Sequence, residues 1–129
     1  MDKPKNVLVI LGHPRTASFC GTLASAYCEG ASNAGINVRL IRLADLRFNP
    51  NVVVASIRRQ PTEPDIEKVR NDLSWAHHIV FIYPTWWSTM PGLMKSFLDR
   101  ILIPGFAFEE WEHGDGWTKL LTGKSAQLI

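Results

Sequence analysis

Residues 6–11, Asn-Val-Leu-Val-Ile-Leu, are apolar on both alternating faces, the pattern of a central parallel strand covered on both sides. Residues 12–17 break that run. From Ser18 onward, Leu23, Ala24, Tyr27, Cys28 and Ala31 fall on one helical stripe that stops before Gly35. Val38, Leu40 and Ile41 predict a second, shorter strand. Residues 43–64 keep neither period and predict an irregular surface excursion. Ile66, Val69, Leu73 and Ala76 return to helical spacing, with Glu67, Lys68, Arg70, Asn71 and Asp72 outside the stripe. The apolar run 79–83 predicts another buried strand, ended by Pro84. Leu93, Met94, Phe97, Leu98, Ile101 and Leu102 make the cleanest helical stripe. Pro91 suits its first turn, where a missing N–H costs nothing. A glycine- and tryptophan-bearing insertion fills 104–124, and 125–129 begins a further apolar strand.

The order β-α-β-loop-α-β-α-β predicts a single α/β domain over 1–129, a doubly wound parallel sheet with right-handed crossovers. In such a sheet, ligands collect beyond the carboxyl ends of the strands where the order reverses. For strands in the order 2-1-3-4 that point lies between the first and the third. Two loops are thereby singled out. The first, "GHPRTASFCGTL", leads into a helix N-terminus, whose free N–H groups and positive dipole end suit an anion. Ser18 can cap that helix or bond a phosphate, and His13 and Arg15 add donors. The second, 84–91, opens with Pro84, Thr85, Trp86 and Trp87. Its indoles and backbone could receive a flat heteroaromatic ring; alternatively, one indole caps the core and the other meets a partner subunit. Opposite a phosphate loop, the pair favours a flavin.

Composition narrows the classes. A formal net charge of +2 is too small to argue for nucleic acid or an anionic membrane surface. Arg39, Arg42, Arg47, Arg58 and Arg59 read as a solvated surface. Cys20 and Cys28 lie eight positions apart on one predicted helix, about 12 Å along its axis and too far for a disulfide. Reduced thiols and a cytoplasmic location are expected. The polar start of the chain has no signal-peptide shape, and no apolar run is long enough to span a bilayer. His13, His77, His78 and His113 show no zinc-type spacing, so no metal is expected. His77 and His78 are placed at a helix C-terminus, where positive charge is favourable. "TGKS" (122–125) ends like a P-loop, but Thr118 stands where that motif needs glycine, and the segment leads into a strand rather than a helix.

"GHPRTASFC", "YPTWWSTMPGLMKSFLDRIL" and "GFAF" (105–108), spread along the whole chain, resemble the flavodoxin-like NAD(P)H:quinone oxidoreductase family. This flavodoxin-2 group includes quinone reductases, drug-activity modulators and ancillary subunits of potassium-efflux systems. The resemblance implies a flavodoxin-like fold with bound FMN or FAD. His13, Ser18, Phe19 and Cys20 would sit at the flavin phosphates or ribityl chain, beside the donor Arg15 read from the loop itself, and Pro84, Thr85, Trp86, Trp87 and Ser88 would line the isoalloxazine. Cys20 stands where the family usually has asparagine, which weakens one hydrogen bond. Trp86 adds bulk at a position often polar.

The resemblance further implies a homodimer, with the aromatic insertion (Phe106, Phe108, Trp111, Trp117) against a neighbour. It also implies that the chain is C-terminally incomplete relative to the family, without the fifth strand and the loop, tyrosine and histidine that precede it. The implied chemistry is ping-pong: NAD(P)H reduces the flavin and a quinone reoxidises it. No residue is identified as a catalytic acid or base. Three other readings remain: an electron carrier, disfavoured by the positive charge and the "HPRTASF" loop; a regulatory subunit docked on a membrane transporter; and a truncated member that binds flavin poorly.

Overall fold

The structure is a computed structural model that describes residues 6–129; the polar lead, 1–5, lies outside the described residues. In chain order the elements are β1 (Asn6–Leu11), α1 (Phe19–Asn33), β2 (Asn37–Arg42), α2 (Pro64–Trp75), β3 (His78–Ile82), α3 (Gly92–Ile101), β4 (Phe108–Glu110), β5 (Trp117–Lys119) and β6 (Ser125–Leu128). Four strands form one parallel sheet in the order β2-β1-β3-β6. The expected order therefore holds, with β6 as the fourth strand of the sheet.

The two-sided apolar run in β1 has the cause that its pattern implies. Val7, Val9 and Leu11 face α1 together with Val80 and Ile82, closing on Cys20 and Ala24. Leu8, Ile10 and Ile79 face the other way, onto Ile66, Val69 and Leu73 of α2 and Met94, Phe97 and Ile101 of α3. Each large side chain so buried contributes about 1.5–3 kcal/mol. Parallel register Val9↔Val80 and Leu11↔Ile82 keeps like faces together. Gly35 ends α1: at φ 78° it takes the left-handed conformation, and the Ile36 N–H donates to Ala31 O at 3.0 Å, a Schellman closure.

Three departures from the sequence expectations have local causes. The excursion 43–64 contains short 3-10 turns at Leu43–Asp45 and Ile57–Arg59, and it is clamped. Arg100, its side chain only 2% exposed, donates to Asn49 O (2.6 Å), Pro61 O (3.1 Å) and both Glu63 carboxylate oxygens (2.7 and 3.0 Å). Leu43, fully buried, joins the core beside Leu46 and Phe48. Second, His78 does not cap a helix; it opens β3, and its Nδ1 lies 2.7 Å from Ser125 Oγ of β6. Third, the insertion carries an antiparallel hairpin, β4 against β5. β6, at the edge of the sheet, is exposed at all four positions. Arginines taken as solvated are partly engaged: Arg39 pairs with Asp72 (2.8 Å) and stacks on Trp75 (4.0 Å to the ring centre), and Arg58 pairs with Glu109.

Candidate functional site

The loop after β1 is shaped by its own polar groups. Gly12 N–H donates to Ile82 O at 2.8 Å, tying the loop to the end of β3. A side chain there would push its Cβ to 2.8 Å from Met94 Sδ and 3.1 Å from Tyr83 Cβ, so glycine permits the close approach. Ser18, extended at φ −146°, is the N-cap of α1, its Oγ accepting from Gly21 N–H at 3.1 Å. The capping contact expected of Ser18 is thus present. The Thr22 N–H is taken by Ser18 O. Among the described residues, no backbone carbonyl outside α1 accepts from the N–H groups of Phe19 and Cys20, and they stand at the positive end of the helix. His13 Nδ1 accepts the Arg15 N–H at 2.9 Å, which leaves the neutral ring's proton on Nε2.

The loop after β3 is shaped differently. Trp86 and Thr89 exchange both backbone hydrogen bonds (2.7 and 3.1 Å). The two residues between them, Trp87 and Ser88, have φ of 51° and 63°. That is a type I′ turn, which ordinarily takes Asn-Gly. Trp87 projects from it 98% exposed, whereas Trp86, 44% exposed, turns back onto the first loop. Its indole meets the His13 imidazole edge to face, ring centres 5.5 Å apart at 80°.

Between the loops lies a cavity of about 430 Å³, lined by His13, Arg15, Ser18, Phe19, Cys20, Leu23, Tyr83, Pro84 and Ile129. The expected residues His13, Arg15, Ser18, Phe19, Cys20 and Pro84 are thus brought together. Thr85, Trp87 and Ser88 do not line the cavity, and Trp86 reaches it through His13. Sequence reasoning missed Leu23, Tyr83 and Ile129. Tyr83 was legible as the last apolar residue before Pro84. Ile129 follows β6, which pairs with β3: Tyr83 N–H donates to Ile129 O at 3.2 Å and Ile129 N–H to Phe81 O at 2.9 Å.

Burial raises the Cys20 thiol pKa above the ordinary range, against a smaller opposing pull from its own backbone N–H. Cys28 is raised by burial too, with Arg42 opposing. Both cysteines are free thiols. Among the described residues no group of three or more His, Cys, Asp or Glu side chains is placed to hold a metal, and no helix is long and apolar enough to cross a membrane.

A sequence profile described as "Flavodoxin-like fold" matches residues 5–129. An uncharacterized NAD(P)H oxidoreductase of Haemophilus influenzae is 30% identical over 128 residues, 96% of this chain and 63% of that protein. The mouse ribosyldihydronicotinamide dehydrogenase [quinone] is 26% identical over 125 residues, 81% of this chain and 54% of the relative. The chain thus spans between about half and two thirds of these relatives. Among solved structures, the NAD(P)H:quinone oxidoreductase from Methanothermobacter marburgensis superposes with a TM-score of 0.77 at 25% identity, covering 98% of this chain and 66% of that one. The topology, the two loops and these matches agree: the chain belongs to the flavodoxin-2 family of flavodoxin-like folds, the group of the NAD(P)H:quinone oxidoreductases.

Proposed function

We propose that the cleft binds a flavin, FMN or FAD, by its phosphate end, and that the chain serves a flavin-dependent NAD(P)H oxidoreductase acting on a quinone or similar acceptor. One observation carries this: the loop after β1 and Pro84, which opens the loop after β3, share a single cavity at the switch point of the sheet, with a helix N-terminus on one wall. The donor set fits such a group. An oxyanion at the mouth of α1 would take the Phe19 and Cys20 N–H groups, and Arg15 would neutralise it. Phe19, 75% exposed, and Trp86 offer aromatic surface to a flat ring.

When bound, a flavin supplies two-electron chemistry, taking a hydride from NAD(P)H and returning it to the acceptor. Donor and acceptor using one site in turn gives ping-pong kinetics. The protein's residues do the positioning. Trp86 holds His13 across the cleft, which keeps the two loops at a fixed separation. Cys20, its thiol kept protonated by burial, packs as a neutral wall and offers no competing thiolate. Thr85, Trp87 and Ser88 belong to the same reading as the rim met by the ring. Trp87, Trp111 and Trp117 are exposed indoles, and a second copy covering them completes the proposal, with light scattering giving twice the mass of one chain. Free thiols fit a cytoplasmic home.

The test is direct. Titration of FMN and of FAD with the purified chain should quench flavin fluorescence saturably, and Arg15→Ala should weaken the tighter ligand about tenfold, the worth of one charge-assisted contact. The loaded protein should oxidise NADH or NADPH with a benzoquinone as acceptor. Absence of saturable quenching by either flavin overturns the cleft assignment. Binding without turnover would leave a flavin-binding subunit.

A further inference from the structure

A second cavity, about 350 Å³, lies between the segment entering α2 and the turn leaving α3, and shares no lining residue with the cleft. Its walls are unlike in chemistry. Ile57, Ile103, Pro104 and Phe106 supply apolar surface, and Arg58, Thr62 and Arg70 supply donors.

Arg70 is the informative member. Its guanidinium carbon lies 5.8 Å from the centre of the Phe106 ring. Its Nη1 reaches Thr62 Oγ1 only at a long 3.4 Å. Its Nε, shielded from solvent, has no acceptor among the described residues, and no carboxylate there lies within ion-pair distance of the guanidinium. The Nε–H is a shielded donor left without an acceptor, which costs free energy, on a side chain that is otherwise half-buried. Burial lowers the Arg70 pKa, and repulsion from Arg100 lowers it further; Glu67 and Glu63 offset this only in part. Glu63 pairs with Arg100 and lies outside ion-pair distance of Arg70.

The other polar groups around the cavity are already engaged. The Gln60 amide is used in both directions, donating to Asn51 O and accepting from Val53 N–H. Arg58 places Nη2 on Glu109, leaving Nη1 beside Gly105. Among the described residues on the cavity wall, Thr62 Oγ1 alone accepts from Arg70, at that long distance, while one side of Arg58 remains near it.

We propose that this cavity binds a small organic anion, an oxyanion on an apolar ring, with the Arg70 guanidinium holding the oxygens and Phe106, Ile57 and Ile103 covering the body. A guanidinium edge suits the paired oxygens of a carboxylate or phosphate. The mixed lining is that of a small-molecule site, with few polar groups in an apolar wall.

The test uses two probes on the purified chain, benzoate as an oxyanion with a ring and inorganic phosphate as an oxyanion alone. The readout is the Arg70 Nε–Hε signal in heteronuclear NMR. Benzoate should move it saturably, with phosphate weaker. Arg70→Gln should reduce benzoate affinity at least about tenfold, and Arg59→Gln, whose side chain does not line the cavity, should leave it unchanged. Should Arg70→Gln unfold, the wild-type signal still decides. An Arg70 signal indifferent to both probes overturns the site. Phosphate binding as tightly as benzoate overturns the apolar half of it.

Discussion

The excursion 43–64 and the loop 84–91 both connect a strand to a helix without regular structure, and they are fixed by opposite means. Around Arg100 the excursion turns its polar groups inward. Two backbone carbonyls and a carboxylate surround one guanidinium from α3, while Leu43 anchors the start in the core. In the loop 84–91 the turn itself looks outward, and the closing residues Met90 and Pro91 pack inward. Two residues accept a left-handed backbone, and one of them is an indole left almost wholly in solvent. A buried charge network makes an irregular segment expensive to disturb. A strained turn has the reverse property: it lowers stability, and it persists where its shape serves something outside the fold. The second loop borders the cleft and the first does not.

Breaking the clamp should have the largest effect. Arg100→Met leaves Glu63 partly buried without its partner and should cost about 3–5 kcal/mol, read as a lower urea midpoint; an unchanged midpoint would mean that the clamp is decorative. Acid probes the same contact. The Arg100 hydrogen bonds hold the Glu63 carboxyl below the usual range, against the opposing effect of burial. A depressed folded pKa gives stability that is present above the unfolded value, about 4.3, and lost as the pH falls through the folded value. Thermal unfolding of the wild type should therefore fall more steeply below about pH 4 than that of Glu63→Gln.

Relaxing the strained turn should work in the other direction. Trp87→Asn together with Ser88→Gly installs the residues that a type I′ turn prefers and should raise stability by about 1–2 kcal/mol while weakening flavin binding. A loss of stability would show that no strain is stored there. Loop 12–18 is the intermediate case, shaped by capping instead of burial or strain. Ser18→Ala should cost about 1 kcal/mol, checked by the thermal midpoint.

How much could be read from the sequence follows from how each region is held. Strands and helices were legible where one face is buried, so the stripe Leu93, Met94, Phe97, Ile101 gave α3 and the run 6–11 gave β1. The meeting of His13 with the loop after β3 was legible too, because strand order alone brings those loops together. The clamp was not. Its partners, Asn49, Pro61, Glu63 and Arg100, are scattered over fifty positions, and an arginine late in an amphipathic helix reads as a solvated end. Nor did Trp87 reveal its backbone, since a tryptophan carries none of the usual signs of a left-handed turn. β6 lies at the edge of the sheet, exposed at all four of its positions.

Ile129 gives that edge strand a second importance. Because this residue both pairs with β3 and closes one side of the cavity, occupancy of the cleft and docking of β6 share a wall. A ligand seated there should slow amide hydrogen exchange along β6 as well as in its own contacts. Peeling the strand away should loosen the ligand in equal measure.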